Sequence, residues 1–244
     1  MSVAAGAFRQ WAAHAGLPGN TAAIAQVIGL ARPTLQKQFI RGRVQEGVVI
    51  RAARALRLDP VGVLSQFPEY ADLGAGVRPP LAVEVLSQVT VDDALLELLR
   101  RRRPDNGQTL ATMQTWPEPP IPDGLRQWID AVDPGDLRRT LAGRMAIAPS
   151  NLSAQITTNK VAPRALVEAA RIANTSLVSG LAVAGVVTLD EAGWTRNARA
   201  AAMTQLRDSA LHDLVTSRIA AAQRAARRLE ADEEAAQRIR DTLG

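Results

Sequence analysis

Apolar residues recur at three- and four-residue intervals through most of the chain, the spacing that lines one face of a helix. Clusters of Gly, Pro, Asn and Asp break this pattern into short segments. Residues 7–15 read as a first helix ending in Gly16-Leu17-Pro18-Gly19-Asn20. Thr21 is the expected cap of a second helix through Ile28, with Ile24, Val27 and Ile28 on one face. Gly29 suits the tight turn that follows, because it accepts positive φ cheaply. Pro33 stands where a third helix starts, its missing N–H unneeded in a first turn. Leu35 and Phe39 lie one turn apart on that helix's buried side. A fourth helix is expected over residues 45–56, and Asp59 before Pro60 caps a short fifth through Leu64.

The same pattern returns 117 positions later: residues 8–64 lie over 125–181 without a gap, with 13 identities in 57 positions. Phe8-Arg9-Gln10-Trp11 falls on Leu125-Arg126-Gln127-Trp128, and Ala52-Ala53-Arg54 on Ala169-Ala170-Arg171. Apolar character is kept at Ile24/Leu141, Ile28/Met145, Phe39/Ile156 and Ile50/Val167, while Val63/Gly180 breaks it. Gap-free register with a rare Trp inside a matched run points to an internal duplication.

Between the copies, Val77-Arg78-Pro79-Pro80 breaks the chain. Asp92 or Asp93 is the expected cap of a helix that ends in the run Arg100 to Arg103, where the helix dipole favours cations. That placement is sufficient reason for four arginines; the alternative is a phosphate clamp or minor-groove insertion between two docked modules. Residues 104–124, with Trp116-Pro117-Glu118-Pro119-Pro120, read as a stiff, extended linker. From about Arg196 onward the chain is rich in Ala, Arg and Glu, and Leu206, Leu211, Leu214, Ile219 and Leu229 form an apolar stripe of uneven helical spacing. That stripe fits packing back on the modules or pairing with another copy.

Composition narrows the chemistry. The chain has 47% apolar but only 3% aromatic residues, which favours packed helices over a β-sandwich. Twenty-nine Lys and Arg against 24 Asp and Glu leave a net charge of +5, which permits a polyanionic partner without requiring one. Cysteine is absent, excluding disulfides, thiolate nucleophiles and thiolate metal sites. His14 and His212 stand in no ligand-spaced cluster, and no phosphate loop, dinucleotide fingerprint or Ser/His/acid grouping occurs. The expectation is a protein that is not an enzyme, with no catalytic residue, metal, cofactor or small-molecule ligand. With no signal-like start and no apolar run long enough to span a bilayer, a cytoplasmic, nucleoid-associated location is expected.

The stretch from Thr21 to Phe39 resembles the helix-turn-helix of the lambda-repressor/Cro-like (XRE) family. The resemblance is carried by Ile24-Ala25, Ile28, the turn pair Gly29-Leu30 and Leu35, and extends through Arg41-Gly42-Arg43 and residues 49–60. The second copy departs more: Ala146 replaces the turn Gly, and Asn159-Lys160 stands for Gly42-Arg43. In both copies a Gln (Gln38, Gln155) takes a usually apolar position, and the apolar residue shifts to Phe39 and Ile156.

The resemblance implies an all-α fold of two lambda-repressor-like helix-turn-helix domains joined by a helical linker, with a C-terminal helical extension. The expected bounds are 1–75, a linker with one helix over 76–119, 120–193 and 194–244. It implies double-stranded DNA as partner, with the second helix of each pair in the major groove. In the first copy the implied contacts are Arg32, Thr34, Gln36 and Lys37, then Arg41 and Arg43, with Thr21 and Gln26 on the backbone. In the second copy they are Ser150, Asn151, Ser153 and Gln155, with Thr157, Thr158, Asn159, Lys160 and Arg164 beyond, a polar but nearly neutral face. The implied function is a sequence-specific repressor, of the kind temperate phages use for immunity, reading an asymmetric bipartite operator. The alternative is an antitoxin or phage adaptor that keeps the fold for protein contacts. Self-association through the C-terminal helices is a further expectation.

Overall fold

A computed structural model describes residues 2–243; Met1 and Gly244, the outer ends of the expected first domain and C-terminal extension, lie outside the described residues. The protein is all-α except for the two-residue strands β1 (Val3–Ala4) and β2 (Arg43–Val44), which pair antiparallel with Val3 opposite Val44. The first five helices are α1 (Ala5–His14), α2 (Thr21–Val27), α3 (Arg32–Ile40), α4 (Glu46–Ala55) and α5 (Pro60–Leu64). Asp59 caps α5 as expected, its carboxylate accepting from the amides of Val61 and Gly62. The cap of α2 is Asn20 rather than Thr21: its Oδ1 accepts from the amide of Ala23 at 2.8 Å, and Thr21 is the first residue inside the helix.

The backbone repeats with the sequence. After α6 (Ala82–Ser87), α7 (Val91–Arg102) and α8 (Gly107–Met113) come α9 (Gly124–Val132), α10 (Leu137–Met145), α11 (Pro149–Thr157), α12 (Pro163–Ile172) and α13 (Ser179–Val183). Shifted by 117 residues, α11 and α12 fall end to end on α3 and α4. Four left-handed backbone positions recur at the same offset: Gly29 and Ala146, Gly42 and Asn159, Arg57 and Asn174, Gly76 and Gly193. A β-carbon is costly at such a position, so Ala146 holds at φ 51° a turn that Gly29 makes at φ 62° more easily.

The copies differ in how each seats its tryptophan. Trp11 is half-buried, its ring edge-on to the buried Phe67 with centroids 6.2 Å apart. Trp128 is fully buried, and its indole N–H donates to Oε1 of Glu84 at 3.2 Å. Gly180 makes room for it: a β-carbon there would lie 2.9 Å from Trp128 Cη2. The exception Val63/Gly180 in the repeat is thus the adjustment that lets Trp128 sink, and Ala184 stands where the first copy has Phe67.

Residues 76–119 hold three α-helices, not one. α6 packs against α9, with Glu84 also accepting from the amide of Leu81 and Gln88 donating to the carbonyl of Gly124. α7 is capped by Thr90, whose hydroxyl oxygen accepts from the amide of Asp93, and not by either aspartate. Asp93 turns instead to the chain at Thr115, accepting its amide at 3.0 Å. The expected extended linker over 104–124 begins with a short 3-10 turn and α8, which packs on α7.

The C-terminal segment, α14 (Ala198–Gln205) and α15 (Asp208–Leu243), packs mainly on α6 and α7, while Ala198 and Ala202 of α14 also touch the main hydrophobic core. Val89 and Ala94 form a small second core with Met203, Leu211 and Val215. Three arginines pin this union by donating to backbone carbonyls at helix ends and in the loop after α8. Arg101 reaches the carbonyls of Met203 and Leu206 and the carboxylate of Asp208. Arg218 bonds the carbonyls of Leu86 and Val89, and burial pushes its guanidinium down to about 10. Arg199, 4% exposed, donates to the carbonyls of Trp116 and Pro117.

Within the run Arg100–Arg103, Arg100 and Arg101 are thus built into the protein, while Arg102 and Arg103 are exposed. Arg100 and Arg101 both bind Glu97, and Arg102 meets the ring of His212 at 2.9 Å. Burial would raise the carboxyl of Glu97, but the two guanidinium bonds outweigh it and hold the group below its usual range. No helix of the described residues is long and apolar enough to cross a membrane, and none of their His, Asp and Glu side chains form a group of three that could hold a metal ion.

Candidate nucleic-acid interface

Helices α2 and α3 meet through Ile24, Ala25, Ile28 and Leu35, all buried, and this fixes which sides face out. The outward sides carry Gln26 of α2 and Arg32, Thr34, Gln36 and Lys37 of α3, all exposed, with Arg41 and Arg43 just beyond. Thr21, Arg32 and Gln36 come together around a surface notch of about 540 Å³, joined there by Arg9, Asn20 and Ile40. Gln26, Thr34, Lys37, Arg41 and Arg43 lie outside the notch. Arg43 donates from its guanidinium to the carbonyl of Ser2, the residue before β1, at 3.0 Å.

Arg9, on α1 and outside the helix pair, is not among the expected contacts. Its guanidinium sits 4.3 Å from the centroid of Phe39, a cation–π contact that holds the charge at the mouth of the notch. The signal was present in the identity Arg9/Arg126 within the matched run. Gln38 serves the fold, since its Oε1 accepts from the amide of Gln45 at 2.7 Å and bridges the loop after α3. That bond explains an amide at a position next to the buried Phe39.

Charge separates the two faces. Among the described residues, no acid lies within 4.0 Å of the cationic groups of Arg9, Arg32, Lys37, Arg41 or Arg43. The second copy's arginines are neutralised: Arg138 binds Asp130 at 2.5 Å, Arg139 binds Asp136 at 3.0 Å, and Arg144 binds Glu168 at 2.7 Å. These three stand at the positions of Thr21, Ala22 and Val27. Ser150, Asn151 and Ser153 are exposed on α11, and Gln155 is half-buried. Thr158 turns its hydroxyl back to the carbonyl of Ala154 at 2.8 Å, which closes its own helix. Lys160 stands apart from this set, on the wall of an open cleft of about 1100 Å³ between the two copies, across from Val27–Gly29 and Arg51. Arg164 lies close enough to Tyr70 of the first copy to act on its charge.

The copies are joined by a reciprocal pair of ion bridges. Arg54 grips Glu191 with both arms, at 2.8 and 2.6 Å, and its equivalent Arg171 binds Asp72. Each arginine ends the same helix, α4 or α12, and each reaches the segment following the other copy's fifth helix. The arginines are equivalent while the acids lie two positions apart in the repeat (Asp72 over Leu189, Glu191 over Gly74), so the contact is approximately two-fold, made here inside one chain. The bond from Arg54 holds the carboxyl of Glu191 below its usual range. Gly193 seats Val77 closely (a β-carbon would lie 2.8 Å from its Cγ1), and Arg78 donates to the carbonyl of Thr175. The main hydrophobic core accordingly contains residues of both copies.

Compared with known proteins, the chain matches no family model, no curated protein and no solved structure. The chemistry of the site therefore stands on its geometry. The first face can attract a polyanion and offer guanidinium, ammonium and amide donors from one helix. The second can donate and accept hydrogen bonds with little attraction of its own.

Proposed function

We propose that the protein is a sequence-specific double-stranded-DNA-binding transcriptional repressor, of the kind temperate phages use for immunity. In this reading α2–α3 and α10–α11 are the helix-turn-helix pairs of two lambda-repressor/Cro-like modules, which read an asymmetric bipartite operator at the nucleoid. The observation that carries it is the contrast in pairing: the arginines of α10 are matched to acids, whereas those around α3 are left unneutralised on the face that would enter a groove. The reciprocal bridges support the bipartite part, because one chain then presents two similar helices in an approximately two-fold relation, as a dimer of single modules would. Arg32 and Gln36 read bases, Arg9, Lys37, Arg41 and Arg43 hold phosphates, and the neutral face of α11 adds hydrogen bonds to a weaker half-site.

The test is selection of bound sequences from random DNA, then footprinting and affinity measured against salt. Arg32→Ala should cost about 1–3 kcal/mol at one base position and relax the preference there. Lys37→Ala should weaken all sequences alike and reduce the salt slope by about one phosphate. Binding without salt dependence would point to a protein partner and overturn the reading. A footprint one module wide, unchanged by Gln36→Ala and by Asn151→Ala, would remove the bipartite operator.

A further inference from the structure

We infer that a small cavity on the seam between the two copies is a binding site for a small monocarboxylate with an apolar body. The cavity has a volume of about 210 Å³, and both copies build it. Leu73, Val77 and Arg78 come from the segment after α5, and Ser176, Leu177 and Val178 from the loop before α13. The bridge from Arg171 to Asp72 and the bond from Arg78 to the carbonyl of Thr175 cross the same seam. Contacts of the chain itself therefore form the cavity before any ligand arrives.

Ser176 is the inner polar group of the cavity. It is 3% exposed, and its hydroxyl is buried with no hydrogen-bond partner among the described residues. Its equivalent in the first copy is Asp59, whose carboxylate caps α5. No side chain caps α13, so the hydroxyl at this position is without that task. Burying a polar group unpaired is costly, which marks the place where a group from outside completes the bond. Arg78 is the outer polar group. It is exposed, and its one bond within the chain is the 3.5 Å contact to the carbonyl of Thr175. Among the described residues no Asp or Glu lines the cavity, and none lies within 4.0 Å of the Arg78 guanidinium.

These two groups select the ligand. A carboxylate accepts from a guanidinium and from a hydroxyl at once, and both donors lack an anionic partner. An amine would meet Arg78 as a like charge. Leu73, Val77, Leu177 and Val178 make the rest of the wall apolar, which a hydrated inorganic anion would not fill. A single lining cation suits one negative charge rather than the two of a phosphate. An apolar cavity of about 150 Å³ already takes benzene, so the larger space here has room for one ring that bears the carboxylate.

Calorimetric titration of the full chain with benzoate, at fixed pH and ionic strength and without DNA, tests the inference independently of the DNA-binding reading. The expected result is saturable binding of one equivalent with a Kd of about 1 mM or tighter. Benzamide and benzamidine have the same shape but are neutral and cationic, and both should bind at least about tenfold more weakly than benzoate. Arg78→Gln and Ser176→Ala should each weaken benzoate about tenfold. Both variants should keep the wild-type Tm without ligand, because neither side chain carries a strong bond within the protein, so a loss of binding is not a loss of fold. Absence of saturable benzoate binding up to about 10 mM would overturn the inference. So would equal affinity for benzamidine, or benzoate binding that neither substitution weakens.

Discussion

Replacing Gly180 by alanine puts a methyl group 2.9 Å from Trp128 Cη2 and 3.2 Å from both the β-carbon and the carbonyl oxygen of Leu166. None of these can yield cheaply. The indole is fully buried and its N–H is held by Glu84, and the Leu166 oxygen is backbone within α12. Overpacking of this kind costs about 1–3 kcal/mol, and alanine's advantage over glycine in a helix returns at most about 1. The net loss is centred on about 1 kcal/mol, a fall in Tm of about 2–4 °C for a protein of this size. Trp128→Phe removes the ring that carries Cη2. In that background the closest contact is gone and only the two 3.2 Å contacts with Leu166 remain, so Gly180→Ala should cost less than with Trp, and a double-mutant cycle read by calorimetry should give a coupling of about 1 kcal/mol. Equal effects of Gly180→Ala with Trp and with Phe at 128 would refute the explanation of why the repeat breaks at this position.

Ala146→Gly should stabilise the protein by about 1 kcal/mol, seen as a higher Tm, because it relieves a left-handed alanine at φ 51° by more than the added chain entropy removes. Tyr70 is the chain's single tyrosine; its hydroxyl donates to the buried Glu46 at 2.5 Å, and burial first, then the nearby carboxylate, raise its phenol far above the ordinary value of 10.0. The folded state thus holds the proton more tightly than the unfolded one, so stability is intact below about pH 10 and falls as pH rises beyond it. Phenolate absorbance should appear only together with unfolding followed by circular dichroism, and a phenol titrating freely in the folded protein would contradict the buried bond.

Much of the repeated unit is legible locally, because its turns are set by residues that act on their own backbone. Gly29, Gly42 and Asp59 do at close range what their chemistry favours, and the spacing of Leu35 and Phe39 gives the buried side of α3. Caps are less certain where two suitable residues adjoin: Asn20 displaces Thr21, and Thr90 displaces the aspartates, because backbone direction decides which side chain reaches the free amides. Long-range choices leave no local trace. Nothing near Lys160 shows that it faces the other copy, and nothing near Arg138 shows that Asp130 will neutralise it. Pro-rich flanks make residues 104–124 read as extended, yet contact with α7 supports a helix at 107–113. The stripe on α14 and α15 announces a partner without naming it.

The union of α6 and α7 with α14 and α15 has a consequence for how the protein is made. Arg199 binds the carbonyl of Gln88 across 111 residues of sequence, so the second copy is threaded as an insert between two halves of one small helical body. During synthesis the helices of the first copy emerge first, but the core they share with the second copy is complete only when residues up to Trp194 have followed. The middle helices must wait, with Val89 and Ala94 uncovered, until Met203, Leu211 and Val215 arrive. Closing the second copy first brings the two halves together and shortens the loop the late step must close. The insert thereby acts as the clasp for the body that surrounds it.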